Sequence, residues 1–324
     1  MIQTLSLYRG EGFDPYFNLA VEQHLLETVA QGECILYLWQ NEHTVVIGKN
    51  QNPWKECKTT LLEQEGGHLA RRLSGGGAVY HDLGNLNFTF LMPQEDYALD
   101  RQLAVIAGAV RSLGVPVEIS GRNDILSEGR KFSGNAFYRN GKQAYHHGTL
   151  LVSVDKEKMG RYLSPDKRKL AGKGVDSVRS RVMNLTETNP DITMERLAHA
   201  LEEAFGQVYG LPVEPLPLAR LNREEIDRLY RRNQSWQWNY GQKLPFTCQC
   251  DGRFSWGGME ICLQLEHGTI RTAKVYADTM DWQLPGLVEQ ALTGCRFAPE
   301  EMAARIRALE IPQGEDILQL ISQA

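Results

Sequence analysis

The sequence predicts an α+β chain: a large part with a mixed, mostly antiparallel sheet and helices packed on it, then a small α/β unit. Three observations carry this. Strand-like and helix-like segments follow one another without the regular alternation that builds a parallel sheet. The apolar patterning breaks around residues 244–251 of a chain of 324 residues, long enough for about two domains. The composition, 42% hydrophobic and 23% charged, is that of a chain able to bury a core. The expected domains are 1–246 and 247–324.

The elements follow in order. Asp14-Pro15 is a helix start, and Phe17, Val21, Leu25 and Val29 form an apolar stripe behind it. Residues 35–39 and 44–47 are rich in β-branched and aromatic side chains and predict strands. Residues 53–65 suggest a helix, and 75–81 and 86–91 suggest strands. In the second of these, Leu86, Phe88 and Phe90 alternate with Asn87 and Thr89, which predicts one buried face. A helix over 97–113 ends at Gly114, and a short strand covers 115–119. Asn140-Gly141 is a hairpin turn signal. A strand over 149–154 and helices over 156–163 and 193–209 come next. Three prolines within 211–217 predict a connector or edge segment rather than a helix. Asn222 and Glu225 have capping-box spacing for a helix through Arg232. Strands over 260–265 and 269–277 and helices over 285–292, 299–309 and 315–322 complete the small unit.

Several function classes are disfavoured. A net charge of −5 argues against a general nucleic-acid binder. No apolar run is long enough to span a bilayer, so no membrane partner is expected. The first nine residues lack the basic and apolar regions of a signal peptide. Six cysteines without a Cys-x-x-Cys pair fit a reduced cytoplasmic location. Cys248-x-Cys250 reads as two side chains on one face of a strand, not half of a metal site.

The most informative segment is Arg71-Arg72-Leu73-Ser74-Gly75-Gly76-Gly77-Ala78-Val79-Tyr80-His81-Asp82. Three glycines allow close backbone approach to a ligand, and successive N–H groups can cradle an anion. The two arginines would add charge-assisted donors. The spacing is neither the dinucleotide nor the P-loop pattern. A plain hairpin loop is the bland alternative. Lys131, between Gly129 and Gly134, can reach a phosphate and an acyl carbonyl together. The bland alternative is a solvated loop lysine. His146 and His147 are adjacent, so they face opposite ways, one packed and one available to a site. Between Lys167 and Arg181 lie six basic residues and one acidic residue. That stretch reads as a solvated loop or as a lid over an anion.

In combination these blocks resemble bacterial lipoate–protein ligase A, of the biotin/lipoate ligase superfamily. The resemblance rests on 71–85, Ser120–Asp124, 130–134, His146–Leu151, 162–167 and 173–186. It continues through Ser235-Trp236-x-Trp238-Asn239-x-Gly241 and Phe254-x-Trp256-Gly257-Gly258. It implies a biotin/lipoate-ligase-type catalytic domain with a small C-terminal accessory domain. It implies ATP-dependent formation of lipoyl-AMP, then transfer of the lipoyl group to a lysine of an acceptor lipoyl domain. The implied acceptors are 2-oxoacid dehydrogenase E2 subunits and the glycine-cleavage H protein. By motif position, Arg72, Gly77, Ala78, Val79 and Tyr80 would bind the nucleotide. Lys131 would contact the lipoyl carbonyl and the α-phosphate. Asn123 and Asp124 would lie near the Mg²⁺ that accompanies ATP, with Asp124 the candidate metal neighbour. Lys173, Val178 and Arg179 would belong to an adenylate-binding loop over 168–184. Leu73, Ser74, Gly75, Gly76, His81 and His147 would line the lipoate site. A monomer is expected.

Two enzyme rivals and one binding rival remain beside this. A lipoyl or octanoyl transferase of the same fold needs a cysteine nucleophile near the lysine region, yet no cysteine lies between Cys57 and Cys248. A biotin ligase would carry Gly-Arg-Gly-Arg-x-Gly, which is absent. A non-catalytic lipoate-binding module would not require Lys131.

Overall fold

The computed structural model describes residues 1–120, 124–164, 182–240 and 248–322. It is a large α+β domain followed by a smaller C-terminal one. In chain order the large domain opens with strand β1 (Thr4–Arg9), helix α1 (Pro15–Thr28) and strands β2 (Glu33–Trp39) and β3 (Thr44–Ile47). Helices α2 (Pro53–Glu56) and α3 (Thr59–Gln64) lead to β4 (His68–Arg71), β5 (Val79–His81) and β6 (Asn85–Pro93). Then come α4 (Leu99–Ser112), β7 (Glu118–Ser120), β8 (Asp124–Ser127), β9 (Arg130–Arg139), β10 (Gln143–Leu151) and α5 (Lys156–Tyr162). Helix α6 (Met194–Tyr209), β11 (Val213–Pro215), α7 (Arg223–Gln234) and α8 (Trp236–Asn239) close it.

An eight-stranded sheet runs β11-β1-β2-β6-β10-β9-β8-β7, and a three-stranded sheet runs β4-β3-β5. The β11, β1 and β2 pairings and the β3–β4 pairing are parallel, and the other pairings of these sheets are antiparallel. Two helical layers cover the large sheet. On one side α4 and α6 pack Val105, Ile106, Val110, Leu201 and Phe205 onto Phe88 and Phe90. On the other, α1 and α7 pack Leu25, Leu26, Ile226 and Leu229 toward Ile35, Tyr37 and Tyr145.

Local chemistry explains the ends of several elements. Asp14 Oδ1 accepts from the N–H groups of Tyr16 and Phe17, with Pro15 in the first turn of α1. The β9–β10 turn has Gly141 at φ 89°, and Asn140 Oδ1 accepts from the N–H groups of Lys142 and Gln143. The proline-rich 211–217 segment does supply an edge strand, β11.

Four expectations need correction. Residues 53–65 are two helices, because Cys57 is extended and bridges to Leu163. The strand expected over 75–81 is only Val79–His81, and the glycines before it are a loop. Asn222 caps α7 through its side chain, but its own N–H goes to His24 Nε2, so the box is half formed. Finally, β6 is buried on both faces. Its polar face, Asn87 and Thr89, does not meet solvent.

The C-terminal domain is an antiparallel sheet of β12 (Cys248–Phe254), β13 (Gly257–Glu266) and β14 (Thr269–Ala277). Helices α9 (Leu284–Leu292), α10 (Pro299–Arg307) and α11 (Gly314–Ile321) cover it. Its own core includes Ile261, Leu263, Val275, Val288, Ile306 and Leu320. The segment after β14 grips the large domain. Trp282 packs on Tyr138 with ring centroids 4.9 Å apart, its carbonyl accepts from Asn50 Nδ2, and Thr279 O accepts from Gly76 N–H at 2.9 Å. No helix among the described residues is long and apolar enough to cross a membrane.

Candidate functional site

A cleft of ≈ 140 Å³ opens between the two sheets of the large domain. Its walls come from places far apart in sequence: Leu19 of α1, Trp39 of β2, Val46 of β3, Arg72, the Gly76–Val79 loop with His81, Asn87 of β6, and the paired strands β9 and β10 with Lys131, Gly134 and His147. The polar face of β6 therefore alternates between core and cleft, not between core and water.

The cleft is backed by a chain of buried polar contacts. Trp39 Nε1–H donates to Thr89 Oγ1 (3.1 Å), and Thr89 Oγ1–H donates to Glu22 Oε1 (2.7 Å). The same carboxylate oxygen accepts from His147 Nδ1 at 2.8 Å. His147 Nε2 is 2.8 Å from Ser74 Oγ, which also accepts from Arg72 Nε. Serine, histidine and glutamate thus stand in the connectivity of a hydrolase triad. Ser74 is fully buried and is not among the cleft walls, so it braces His147 rather than attacking a substrate.

His146 points the other way. It is enclosed by Phe88, Phe90 and Phe137 and bonded to Gln102 and Asn135. Burial pushes its pKa down to about 3. Both histidines lie inside β10, not before a strand.

Both arginines are buried and donate to backbone carbonyls. Arg72 is buried, and its guanidinium donates to Gly75 O, Gly77 O and Val46 O as well as to Ser74. It shapes the glycine loop from behind. Arg71 donates to the carbonyls of Gly48, Lys49, Gln51, Trp238 and Asn239. Burial lowers both to about 10, so both stay charged at neutral pH. Arg71 has no role at the cleft, because buried carbonyls take its N–H groups first.

Within the loop, Gly76 has φ 84°, which glycine tolerates. A Cβ on Gly75 would stand 2.2 Å from Thr279 O of the C-terminal domain. Gly76, Gly77, Ala78 and Val79 line the cleft, as does Arg72. Four expected ligand residues turn elsewhere, the buried Ser74 among them. Leu73 packs with the α1 core. Gly75 meets the C-terminal domain. Tyr80 is buried against His43 and Tyr162 on the far side of β5, because its neighbours Val79 and His81 face the cleft.

Lys131 lies at the start of β9, not in a loop, and it lines the cleft. Its Nζ is 2.7 Å from Asp124 Oδ1 of the neighbouring strand β8. Asp124 is thus occupied by an ammonium group. Among the described residues no group of three or more His, Cys, Asp or Glu side chains could hold a metal ion. Gly134 makes room for Lys131, since a Cβ there would come within 3.0 Å of its Cε and Nζ. Gly134→Ala should leave stability within about 1 kcal/mol but lower turnover about tenfold, by moving Nζ a few tenths of an ångström. Unchanged steady-state kinetics would refute that role.

Asn123, Lys173, Val178 and Arg179 lie outside the described residues, as does most of the 168–184 loop. Sequence reading did not find Glu22, Trp39 or Asn87. Glu22 carried a signal, an acid directly after Val21 of the apolar stripe of the first helix.

Residues 14–206 match the model of the lipoyl protein ligase A/B catalytic domain, and residues 243–320 match that of the bacterial lipoate protein ligase C-terminus. A solved structure of LipL1 from P. falciparum in complex with lipoate is 28% identical, with 98% of this chain and 97% of that one covered at a TM-score of 0.84. Two others share the fold at lower identity. The bipartite lipoate protein ligase of T. acidophilum, from a study with its E2 lipoyl domain, is 24% identical over 76% of this chain and 100% of that one, TM-score 0.63. A lipoate-protein ligase A bound with ATP is 24% identical over 74% of this chain and 99% of that one, TM-score 0.62.

Proposed function

The chain belongs to the lipoyl protein ligase A/B catalytic domain family, and from that premise we propose that it is an ATP-dependent lipoate–protein ligase. A lipoate carboxylate oxygen attacks the α-phosphorus of ATP. Pyrophosphate leaves and lipoyl-AMP forms. The amine of an acceptor lysine then attacks the acyl carbon, AMP leaves, and the amine proton is lost to solvent. The observation that carries this reading is the placement of Lys131 in the same cleft as the Gly76–Val79 loop.

Each part has a physical task. Lys131 places a positive charge where the acyl carbonyl and α-phosphate develop negative charge. Asp124 orients that ammonium before substrate arrives. The glycine loop offers backbone N–H groups to the phosphate. Gly76 N–H is held by Thr279 O in this arrangement, so its availability depends on the segment after β14. Leu19, Trp39, Val46 and Ala136 give the cleft the apolar surface that an acyl chain needs. Mg²⁺ enters as MgATP, because the described side chains form no cage for it and the ion is usually carried by phosphates.

The domains are assigned as 1–246, catalytic, and 247–324, accessory. The acceptor class is the lipoyl domain of 2-oxoacid dehydrogenase E2 subunits and the glycine-cleavage H protein, and the enzyme acts as a cytoplasmic monomer. A thiol-based transferase is disfavoured by position. Cys57 is packed among Val45, Tyr80 and Tyr162, and burial pushes its thiol up to about 12.

The test is ATP–pyrophosphate exchange by the pure protein. Exchange that requires lipoate, followed by labelling of an acceptor domain, is expected. No exchange, or acyl transfer without ATP, would sink the ligase reading.

A further inference from the structure

Lys49 follows β3, and its main chain lies against the glycine run: its N–H donates to Ser74 O at 2.8 Å. The next residue, Asn50, donates to Trp282 O and accepts from Ala277 N–H, so Lys49 stands at the seam of the two domains. Its side chain is half-buried and is not part of the cleft wall. The ammonium lies 4.4 Å from the centre of the Trp238 ring, and the Arg232 guanidinium lies 4.1 Å from a ring centre of the same indole. Among the described residues Lys49 Nζ meets no carboxylate and no other hydrogen-bond acceptor.

The charges around it are of its own sign. Burial, with Arg232, Arg71 and Lys274 nearby, lowers its pKa to about 8. Of these four cations only Lys274 has an ion pair among the described residues, to Glu289 at 2.8 Å. Arg71 is held by five carbonyls and contributes field alone. Arg232 binds the side-chain oxygens of Gln23 and Asn233 through Nε and Nη2, which leaves Nη1 without a partner among the described residues. A half-buried ammonium that meets cations and no acid is stabilised by an anion. The indole face offsets part of the burial, but Lys49 shares that indole with Arg232.

We propose that Lys49 anchors an anion site at the domain seam, outside the acyl cleft, for a phosphate-type oxyanion. Lys49 Nζ supplies the charge-assisted hydrogen bond, and Arg71, Arg232 and Lys274 supply the field around it. Several cations in one place favour a multiply charged anion over a single carboxylate. A free ion such as pyrophosphate and the phosphoryl tail of a nucleotide share that chemistry, and which of them arrives rests on the ligase reading. The site itself follows from the placement of the four side chains.

Titration calorimetry of the full chain with pyrophosphate, in the absence of lipoate and Mg²⁺, tests this. Binding is expected, with a rise in the thermal midpoint of about 3 °C at saturation. Lys49→Met should weaken that binding about 30-fold, and Lys49→Arg, which keeps the charge, should hold it within about threefold. Should Lys49→Met not fold, Lys49→Gln carries the same expectation. Pyrophosphate is also a product of the proposed ligation, so the titration is repeated on Lys131→Ala, whose cleft lacks its cation. The Lys49-dependent binding should persist there. No binding by the parent, parental binding by a folded Lys49→Met or Lys49→Gln, or loss of binding in Lys131→Ala would overturn the proposal, the last by placing the ion in the cleft. Competition by ATP assigns the site to the phosphoryl tail of a nucleotide and its absence to the free ion, and either outcome sustains the site. No turnover enters these measurements, so a parent without lipoate-dependent exchange sinks the ligase reading alone.

Discussion

Lys131→Ala lowers lipoate-dependent adenylate formation about a thousandfold and leaves the protein folded. The fold should tolerate the change for three reasons. The ion pair with Asp124 is partly exposed, and such pairs contribute ~0–1 kcal/mol. The strand register uses the Lys131 backbone, whose carbonyl accepts from Met183 N–H, and alanine keeps it. The lysine side chain is partly exposed in the cleft wall and fills no core cavity. The chemical loss is large because a positive charge held in the cleft acts on the charge that develops during reaction. Single-turnover formation of lipoyl-AMP, read beside a thermal melt, checks both halves. Retained turnover with a parental melt would remove Lys131 from the mechanism.

Arg71→Ala has the opposite profile: the protein loses at least ~3 kcal/mol of stability, and activity falls only with the folded fraction. Five carbonyls converge on this one buried side chain, three from the loop after β3 and two from α8. Removing the guanidinium leaves acceptors in a site too closed for water to replace every bond. Arg71→Lys should restore little, because one ammonium cannot reach carbonyls arranged around a planar fork. Chemical denaturation measures the loss. A variant as stable as the parent would show that these carbonyls find other donors.

The two neighbours Arg71 and Arg72 show where sequence reading stopped. Their charge and their position before three glycines suggested direct anion binding. Alternation along β4 and beyond sends them to different surroundings, and both donate to backbone carbonyls. The same limit applies to Glu22 and Trp39. Each is distant in sequence from His147, and only the β1-β2-β6-β10 order brings them to one place. Asn87 and Thr89 looked like the solvent face of a strand. Period-two alternation reports that two faces differ, but not that the polar one meets water.

By itself the sequence determined the local and the chemical. Asp14-Pro15 starts a helix, Asn140-Gly141 turns a hairpin, and the α+β class follows from unalternating elements. The glycine run and Lys131 stood out as candidates for one ligand site. These follow from backbone propensity and side-chain chemistry, which act within a few residues. Tertiary structure alone decided which candidates face the cleft, that Tyr80 and Leu73 do not, and that Asp124 holds Lys131. Those outcomes depend on strand order and on which nearby group reaches each polar atom first, and no short-range pattern encodes either.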